Sequence, residues 1–282
     1  MSQIGAGGRG VSSAELGNKC ENTAFRRREP LMDIIASVES IYPRLIKGDI
    51  GVLSAFAAKA KVDTPLGGHQ QPPEFVAEAR AWLGAHAARI EQQRTIVTPD
   101  RIVHEFVLCV TADGRETELP VMLVADIADD CIRDLRVYHS TWPLTGRHAV
   151  RSPLMQYNLK ERPAEPIGTY HDALAAGDAA AADGVYEPDG VVREPAGTAW
   201  AHTGADRTAW YEAVLSDGTL PLKLGTITDD GTTLVYEYEV DRWGSTRIPP
   251  QAGAAAYERG PSGKLVSARI YDDVEPPEKL GA

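Results

Sequence analysis

The stretch from Tyr170 to Gly197, YHDALAAGDAAAADGVYEPDGVVREPAG, encodes a helix, a break, a second helix, a turn and a strand in consecutive residues. Gly177 followed by Asp178 combines a left-handed helix stop with a helix N-cap, so one helix ends there and an alanine-rich helix begins. Val191 opens a strand that Pro195 closes. This succession of short elements predicts helices that pack on a sheet.

The same order of signals occurs earlier in the chain, where an apolar stripe over 31–46 predicts a helix. Gly48-Asp49 repeats the break and the cap, and a strand ends at Pro65. Placing these signals on those of the 170–197 stretch takes a single-residue gap. The last strands match as well, with LRVYHS at 135–140 over ARIYDD at 268–273. An internal duplication explains the pattern.

The length of 282 residues favours two domains. Helices followed by antiparallel strands predict an α+β class for both, with long helices at 73–93 and 205–215. The predicted parts are a disordered tail at 1–29, a first domain at 30–147, a linker at 148–165, a second domain at 166–277 and a tail at 278–282.

The pattern resembles the opening of ketosteroid isomerases and SnoaL-like polyketide cyclases, members of the superfamily named after nuclear transport factor two. Those proteins often read Tyr, six residues, Gly-Asp, a turn, a strand and an acid-Pro-x-Gly, which Tyr170, Gly177-Asp178 and Glu194-Pro195-Ala196-Gly197 match here. The resemblance implies two cone-shaped SnoaL-like domains, each a curved, mainly antiparallel sheet around a long helix. Paired through their sheets, the cones would form an internal pseudo-dimer, in a monomer or a homodimer.

Candidate site residues of the second domain come from strand alternation and from the resemblance. Alternation places Tyr236 and Tyr238 on one inward face, and Ile270 and Asp272 on another. The resemblance implies that Tyr170 donates a hydrogen bond to a substrate oxygen. It also implies that Glu194 is a general base, whose pKa an apolar cone would raise.

Two structural alternatives stay open for the second domain: Tyr170 can be helix packing, and Glu194 an exposed strand end. Ketosteroid isomerases have a further acid on a later strand, where this chain has Ala255. Asp272, one strand on, is the replacement candidate.

Candidate residues of the first domain are two histidines. Alternation places His104 and Phe106 on an inward face, and Val137 and His139 on the inward face of the last strand. With Asp63 near the mouth of the cone, a His-Asp pair could activate water or shuttle a proton, because histidine titrates near neutrality. The alternative is that each histidine only packs in the core.

The composition and the absence of several motifs argue against some classes of partner, cofactor and location. A net charge of -11 argues against nucleic acid or an anionic membrane as partner. The absence of a membrane-spanning apolar run and of a signal peptide favours a cytoplasmic location. Three scattered cysteines predict neither a disulfide framework nor a zinc site, and we expect them reduced. Without metal-ligand spacing or a nucleotide fingerprint, we expect no cofactor and no metal.

The resemblance, together with the polar residues expected in the cones, implies a cofactor-independent acid/base enzyme of secondary metabolism, of cyclase, isomerase or epoxide hydrolase type. Its substrate would be a hydrophobic polyketide- or terpenoid-like small molecule. The alternative is a non-catalytic module that binds small molecules or serves protein assembly.

Overall fold

The chain folds into two halves that repeat one plan. A computed structural model describes residues 30–112, 114–149, 151–157, 161–195 and 200–274; both predicted tails lie outside these ranges. The first half and the segment after it contain α1 (Pro30–Glu39), α2 (Ile41–Ile46), a 3-10 helix (Ile50–Ala55), β1 (Phe56–Thr64), β2 (Gly68–Gln70), α3 (Pro72–Ala85), β3 (Arg89–Val97), β4 (Arg101–Ala112), β5 (Arg115–Ala128), β6 (Cys131–Tyr138) and α4 (Trp142–Thr145). The second half contains α5 (Ile167–Ala176), α6 (Ala179–Gly184), β7 (Tyr186–Arg193), β8 (Ala201–Thr203), α7 (Gly204–Val214), β9 (Lys223–Asp229), β10 (Thr233–Trp243), β11 (Thr246–Arg259) and β12 (Leu265–Ile270).

Each half has a six-stranded mixed sheet with the same strand order. The orders are β2-β1-β6-β5-β4-β3 and β8-β7-β12-β11-β10-β9. The first strand of each half runs parallel to the last, and the other pairings are antiparallel. Helices cover one face of each sheet and enclose an apolar core. The α+β class with two cone-like halves is confirmed.

The Gly-Asp signals act as the sequence predicts. Gly177 has φ 72° and ends α5, and the Asp178 carboxylate accepts a hydrogen bond from the Ala181 amide at 2.9 Å to start α6. In the first half the Asp49 carboxylate caps the 3-10 helix by accepting from the Gly51 amide at 2.7 Å. A glycine tolerates positive φ, and a short acidic side chain satisfies an amide without an intrahelical partner.

The predicted helix at 73–93 is too long. Helix α3 ends at Ala85, Ala87 has φ 45°, and β3 then pairs with β4 in antiparallel register. Because β3 lies at the edge of its sheet and most of its side chains are exposed, its residues lack the apolar alternation that would reveal a strand. Strand β9, its counterpart at the other sheet's edge, was not predicted either.

The two sheets pack against each other through the faces that point away from the helices. A third apolar cluster fills this interface with residues from both halves: Ile96, Val103, Met122, Val124, Tyr138, Val235, Ala252, Ala254, Ala256 and Tyr271. The predicted internal pseudo-dimer is therefore confirmed as an arrangement within one chain.

Two buried ion pairs cross the interface and are related by the duplication. Arg136 of β6 donates to Glu237 of β10 at 2.6 and 2.9 Å, and the Tyr138 hydroxyl donates to the same carboxylate at 2.7 Å. In the mirrored pair, Arg269 of β12 donates to Glu105 of β4 at 2.8 and 2.9 Å. Burial raises the pKa of Glu237, but attraction and hydrogen bonds from Arg136 outweigh it and hold that pKa below its usual range.

Cysteine chemistry differs from the expectation of three reduced thiols. Cys109 is free and buried, whereas Cys131 is disulfide-bonded; Cys20 lies outside the described residues. Within the described ranges, no helix is long and apolar enough to cross a membrane.

Candidate active site

Each half encloses a cavity between its sheet and its helices. The first cavity has a volume of about 220 Å³ and the second about 530 Å³. The second is large enough for a drug-sized molecule, since ligand sites usually span about 300–1,000 Å³. Its lining is mostly apolar and aromatic: Ser140, Trp142, His148, Tyr170, Leu174, Glu194, Pro195, Trp200, Trp210, Val214, Leu220, Leu222, Tyr238, Val240, Trp243, Ala255, Tyr257, Ile270, Asp272 and Val274.

Asp272 is one of two acidic residues in the wall of the second cavity, with Glu194 the other. It follows β12, and its Oδ2 accepts a hydrogen bond from the Tyr238 hydroxyl at 2.5 Å. Burial raises the pKa of Asp272 from 3.8 to about 6, against the opposing effects of the Tyr238 hydroxyl and the Val274 amide. Both protonation states of the carboxyl group are therefore accessible near neutral pH, as proton transfer requires.

A glycine makes the contact between Tyr238 and Asp272 fit. Gly253 of β11 pairs with Tyr238 in the sheet. A Cβ atom on Gly253 would lie 2.6 Å from the Tyr238 ring and 2.7 Å from the Asp272 Cβ. These distances are shorter than side chains tolerate, so this position requires glycine for a close approach.

Gly253→Ala should separate Tyr238 from Asp272 and damage the second cavity. We expect a loss of about 1–3 kcal/mol in unfolding free energy from overpacking and weaker ligand binding, measured by denaturant titration and calorimetry. Gly184→Ala is the matched control, because a Cβ there meets nothing within 4 Å. Equal behaviour of the two variants would show that the glycine does not shape the site.

Tyr170 lines the second cavity as the sequence predicts, on α5. The Tyr211 hydroxyl lies 3.1 Å from that of Tyr170 and 2.9 Å from that of Tyr186. When Tyr211 donates to Tyr170, the Tyr170 hydrogen is left for a ligand oxygen. Burial raises the pKa of Tyr170 to about 12, so the group stays a donor at neutral pH.

Glu194, after β7, also lines the second cavity. It is neither an exposed strand end nor an isolated acid, because its carboxylate meets the Nε2 of His202 at 2.6 Å. The His202 ring stacks on Trp210, which lines the cavity too. Ile270 and Tyr238 are wall residues, whereas Tyr236 packs on His171 with ring centroids 4.0 Å apart and lies outside the lining.

Three further wall residues come from the segment that follows β6. Ser140, Trp142 and His148 line the second cavity although they directly follow the first half's sheet. Asp273, beside Asp272, holds this segment through several hydrogen bonds. Sequence reasoning missed these residues, since they fall around a predicted domain boundary and outside any regular period.

The first cavity has a different polar group. At the position equivalent to Asp272, where β6 ends, it has His139, and Val137 lines the same cavity. Burial lowers the pKa of His139 to about 4, so the ring is neutral at physiological pH. The remaining lining residues are Tyr42, Thr64, Leu66, Gly67, Gln70, Phe75, Glu78, Ala79, Trp82, Leu83, Leu108, Leu119 and Val121.

The other candidates of the first half do not line its cavity. His104 is buried, with Nδ1 3.0 Å from the Thr95 hydroxyl, and burial lowers its pKa. Phe106 packs on Tyr42 with centroids 4.9 Å apart. Asp63 pairs with Arg151 and with His69 rather than with either candidate histidine.

Three proteins of known structure are described here because they are similar to this chain. A candidate polyketide cyclase from Xanthomonas campestris pv. campestris is similar to this chain with 16% identity and a TM-score of 0.36, covering 40% of this chain and 93% of its own. An NTF2-like protein from Anabaena variabilis is similar with 17% identity and a TM-score of 0.35, covering 42% and 94%. For an NTF2-like protein of unknown function from Cytophaga hutchinsonii, the values are 16%, 0.32, 44% and 100%.

No protein-family model and no curated protein matches the chain. Among the residues that the structure describes, no group of three or more His, Cys, Asp or Glu side chains is placed to hold a metal ion.

Proposed function

We propose that the second cavity catalyses cofactor-independent acid/base chemistry on a hydrophobic, polyketide- or terpenoid-like small molecule. The observation that carries the proposal is the Asp272 carboxyl group, which lies in an aromatic wall, has a pKa of about 6 and is held by Tyr238. The reaction types that fit are cyclisation and isomerisation, with epoxide opening as a further member of the class.

The proton transfer uses two side chains. Tyr238 and the Val274 amide hold the Asp272 carboxylate, and an ionised carboxylate has further lone pairs that can take a proton from a carbon next to a carbonyl group. The electron pair of that C–H bond moves toward the carbonyl oxygen, where the Tyr170 hydroxyl donates a hydrogen bond. A positioned general base contributes about a hundred to ten thousandfold to the rate.

Deuterium exchange into 2-tetralone, a bicyclic ketone with acidic α-hydrogens, tests this proposal without knowledge of the natural substrate. Proton NMR in D₂O would follow loss of the α-hydrogen signals with the purified full-length protein. We expect exchange that exceeds the buffer rate and saturates with ketone. Exchange at the buffer rate, with binding shown by thermal shift, would sink the proposal.

The exchange rate should depend on pH through Asp272. The carboxylate is the active form, so the rate should be level above about pH 6 and fall about tenfold per pH unit below it. A profile from pH 3 to 8 measures the midpoint. A midpoint near the ordinary value of 3.8 would show that the carboxyl group responsible is not shifted by burial.

We infer a binding or structural role for the first half, which corresponds to the non-catalytic alternative. At the position of Asp272 its smaller cavity has the neutral His139, and the acid in its lining, Glu78, accepts a hydrogen bond from Gln70. An apolar cavity of about 150 Å³ holds benzene, so about 220 Å³ suits a small ring. Assembly through the sheet faces is less favoured, because those faces already pack on each other within the chain.

A further inference from the structure

The segment that joins the two halves carries a histidine into the second cavity. His148 lines that cavity, and its side chain is 20% exposed. Its ring lies nearly parallel to that of Trp142, with centroids 6.3 Å apart. The only acid within hydrogen-bond distance of this ring in the described parts of the chain is Asp273, at 2.9 Å from Nδ1.

The surroundings of Asp273 hold its carboxylate in one position and keep it ionised. It is 5% exposed and accepts hydrogen bonds from the Ser140 hydroxyl at 2.5 Å and from the Ala149 amide at 2.7 Å. The Thr141 amide and hydroxyl donate to it at 2.9 and 2.7 Å. Burial raises the pKa of Asp273, but hydrogen bonds from His148, Ser140, Thr141 and Ala149 outweigh it and lower that pKa to about 2.

The charged Asp273 carboxylate determines which nitrogen of the His148 imidazole carries the hydrogen. An ionised carboxylate only accepts hydrogen bonds, so in the neutral imidazole the hydrogen of His148 lies on Nδ1 and the lone pair on Nε2. No hydrogen bond within the described residues uses Nε2. A carboxylate behind an imidazole holds the base in one tautomer and stabilises the imidazolium that forms when Nε2 takes a proton.

We propose that His148 and Asp273 form a second acid/base unit in this cavity, in which His148 Nε2 takes the proton of a substrate hydroxyl group. The inference rests on the proposed function, because Asp272 supplies the complementary proton. It also narrows the substrate class to molecules that have both a hydroxyl group and a carbonyl-activated carbon.

Ring closure of 2'-hydroxychalcone to a flavanone is a probe reaction that needs both groups. The phenol O–H bond breaks and its proton goes to Nε2, while the phenol oxygen bonds to the β-carbon of the enone. The electron pair of the carbon–carbon double bond then takes a proton from the Asp272 carboxyl group at the α-carbon. Atoms and charge balance when Asp272 regains its proton, directly or through solvent, from His148.

Nitrogen-15 NMR of the imidazole tests the tautomer without any substrate. We expect His148 with hydrogen on Nδ1 in the wild-type protein at pH 8 and a shift toward the other tautomer in Asp273→Asn. Asp273 acts as a positioning residue, and a role limited to loop structure would leave the tautomer unchanged. Hydrogen on Nε2 in the wild-type protein would overturn the proposal.

Chalcone closure at pH 6, followed by absorbance, tests the chemistry in the full-length protein. We expect His148→Gln to slow closure at least a hundredfold and at least ten times more than it slows 2-tetralone exchange. His86→Gln is the control. The His86 ring stacks on Trp82 and lies outside the second cavity, so this variant should match the wild type.

The outcomes separate the two proposals. Wild-type protein that exchanges 2-tetralone but does not close the chalcone, or a His148→Gln variant that closes it at the wild-type rate, overturns the second acid/base unit and leaves the proposed function standing. Failure of the wild-type protein in both reactions overturns both. Circular dichroism of each variant confirms that the fold is retained.

Discussion

Asp272→Asn should lower the rate of 2-tetralone exchange by at least about a hundredfold, the lower end of what a general base contributes. An amide of the same shape keeps an oxygen for the Tyr238 hydroxyl, which lies 2.5 Å from Oδ2, but it cannot take a proton. NMR exchange rates under saturating ketone measure the effect. A loss below about threefold would move the proton transfer to another residue, with Glu194 the next candidate.

The same variant should not lose stability, which separates a chemical effect from misfolding. The pKa of Asp272 is higher in the folded protein than its ordinary value of 3.8, so the folded state binds the proton more tightly. The unfolding free energy therefore falls as pH rises from 3.8 through about 6, and at pH 7 the charged, buried carboxylate is destabilising. Asp272→Asn removes that charge, and its melting temperature at pH 7 should equal or exceed that of the wild type.

Glu237→Gln should destabilise the protein by about 3–5 kcal/mol, the usual loss when one partner of a buried ion pair is removed. Arg136 stays buried and charged at the interface, with the nearby Asp126 as its remaining acid. Thr226 and Tyr138, which also donate to Glu237, lose an anionic acceptor. Urea denaturation at pH 7 gives the unfolding free energy.

Two further variants serve as controls for this measurement of the unfolding free energy. Glu116→Gln removes a carboxylate from an exposed pair with Arg89 at 2.8 Å, where the side chains are 62% and 48% exposed, and should change stability by less than about 1 kcal/mol. Replacing both partners, as Arg136→Met with Glu237→Leu, should restore much of the loss, because a buried pair contributes little beyond apolar packing. If the single and double variants were equally unstable, the loss of the Glu237 carboxylate beside the charged Arg136 would not be the cause.

The fold was predictable where local signals were strong. The helix break at Gly177-Asp178 and the alternation that turns Tyr238 and Asp272 inward follow from backbone geometry within a few residues. Strand β3 was missed because an edge strand with exposed side chains carries no apolar period. The alternation also placed Glu237 on the outer face correctly, but no local pattern states that this face is buried on another sheet.

The candidate site was only partly predictable for a related reason. Tyr170, Glu194 and Asp272 belong to or directly follow repeated elements, and they line the second cavity; their catalytic roles stay predictions. His148 and Asp273 lie in irregular segments, and their contact depends on how the two halves pack, which sequence spacing does not encode. Asp63 was assigned to the cone on strand position alone, whereas its partner Arg151 comes from the segment between the halves.

Covalent fusion of the two halves has a consequence for how the protein can vary. In a dimer of identical chains each substitution is made twice, once in every copy of a cavity. Here the residue after Tyr138 and the residue after Tyr271 are two different positions of one sequence. The first is His139 and the second is Asp272. Tyr138 and Tyr271 bind Glu237 and Glu105 across the interface between the two sheets. A polar residue in one cavity can therefore be substituted while these two matching contacts are kept.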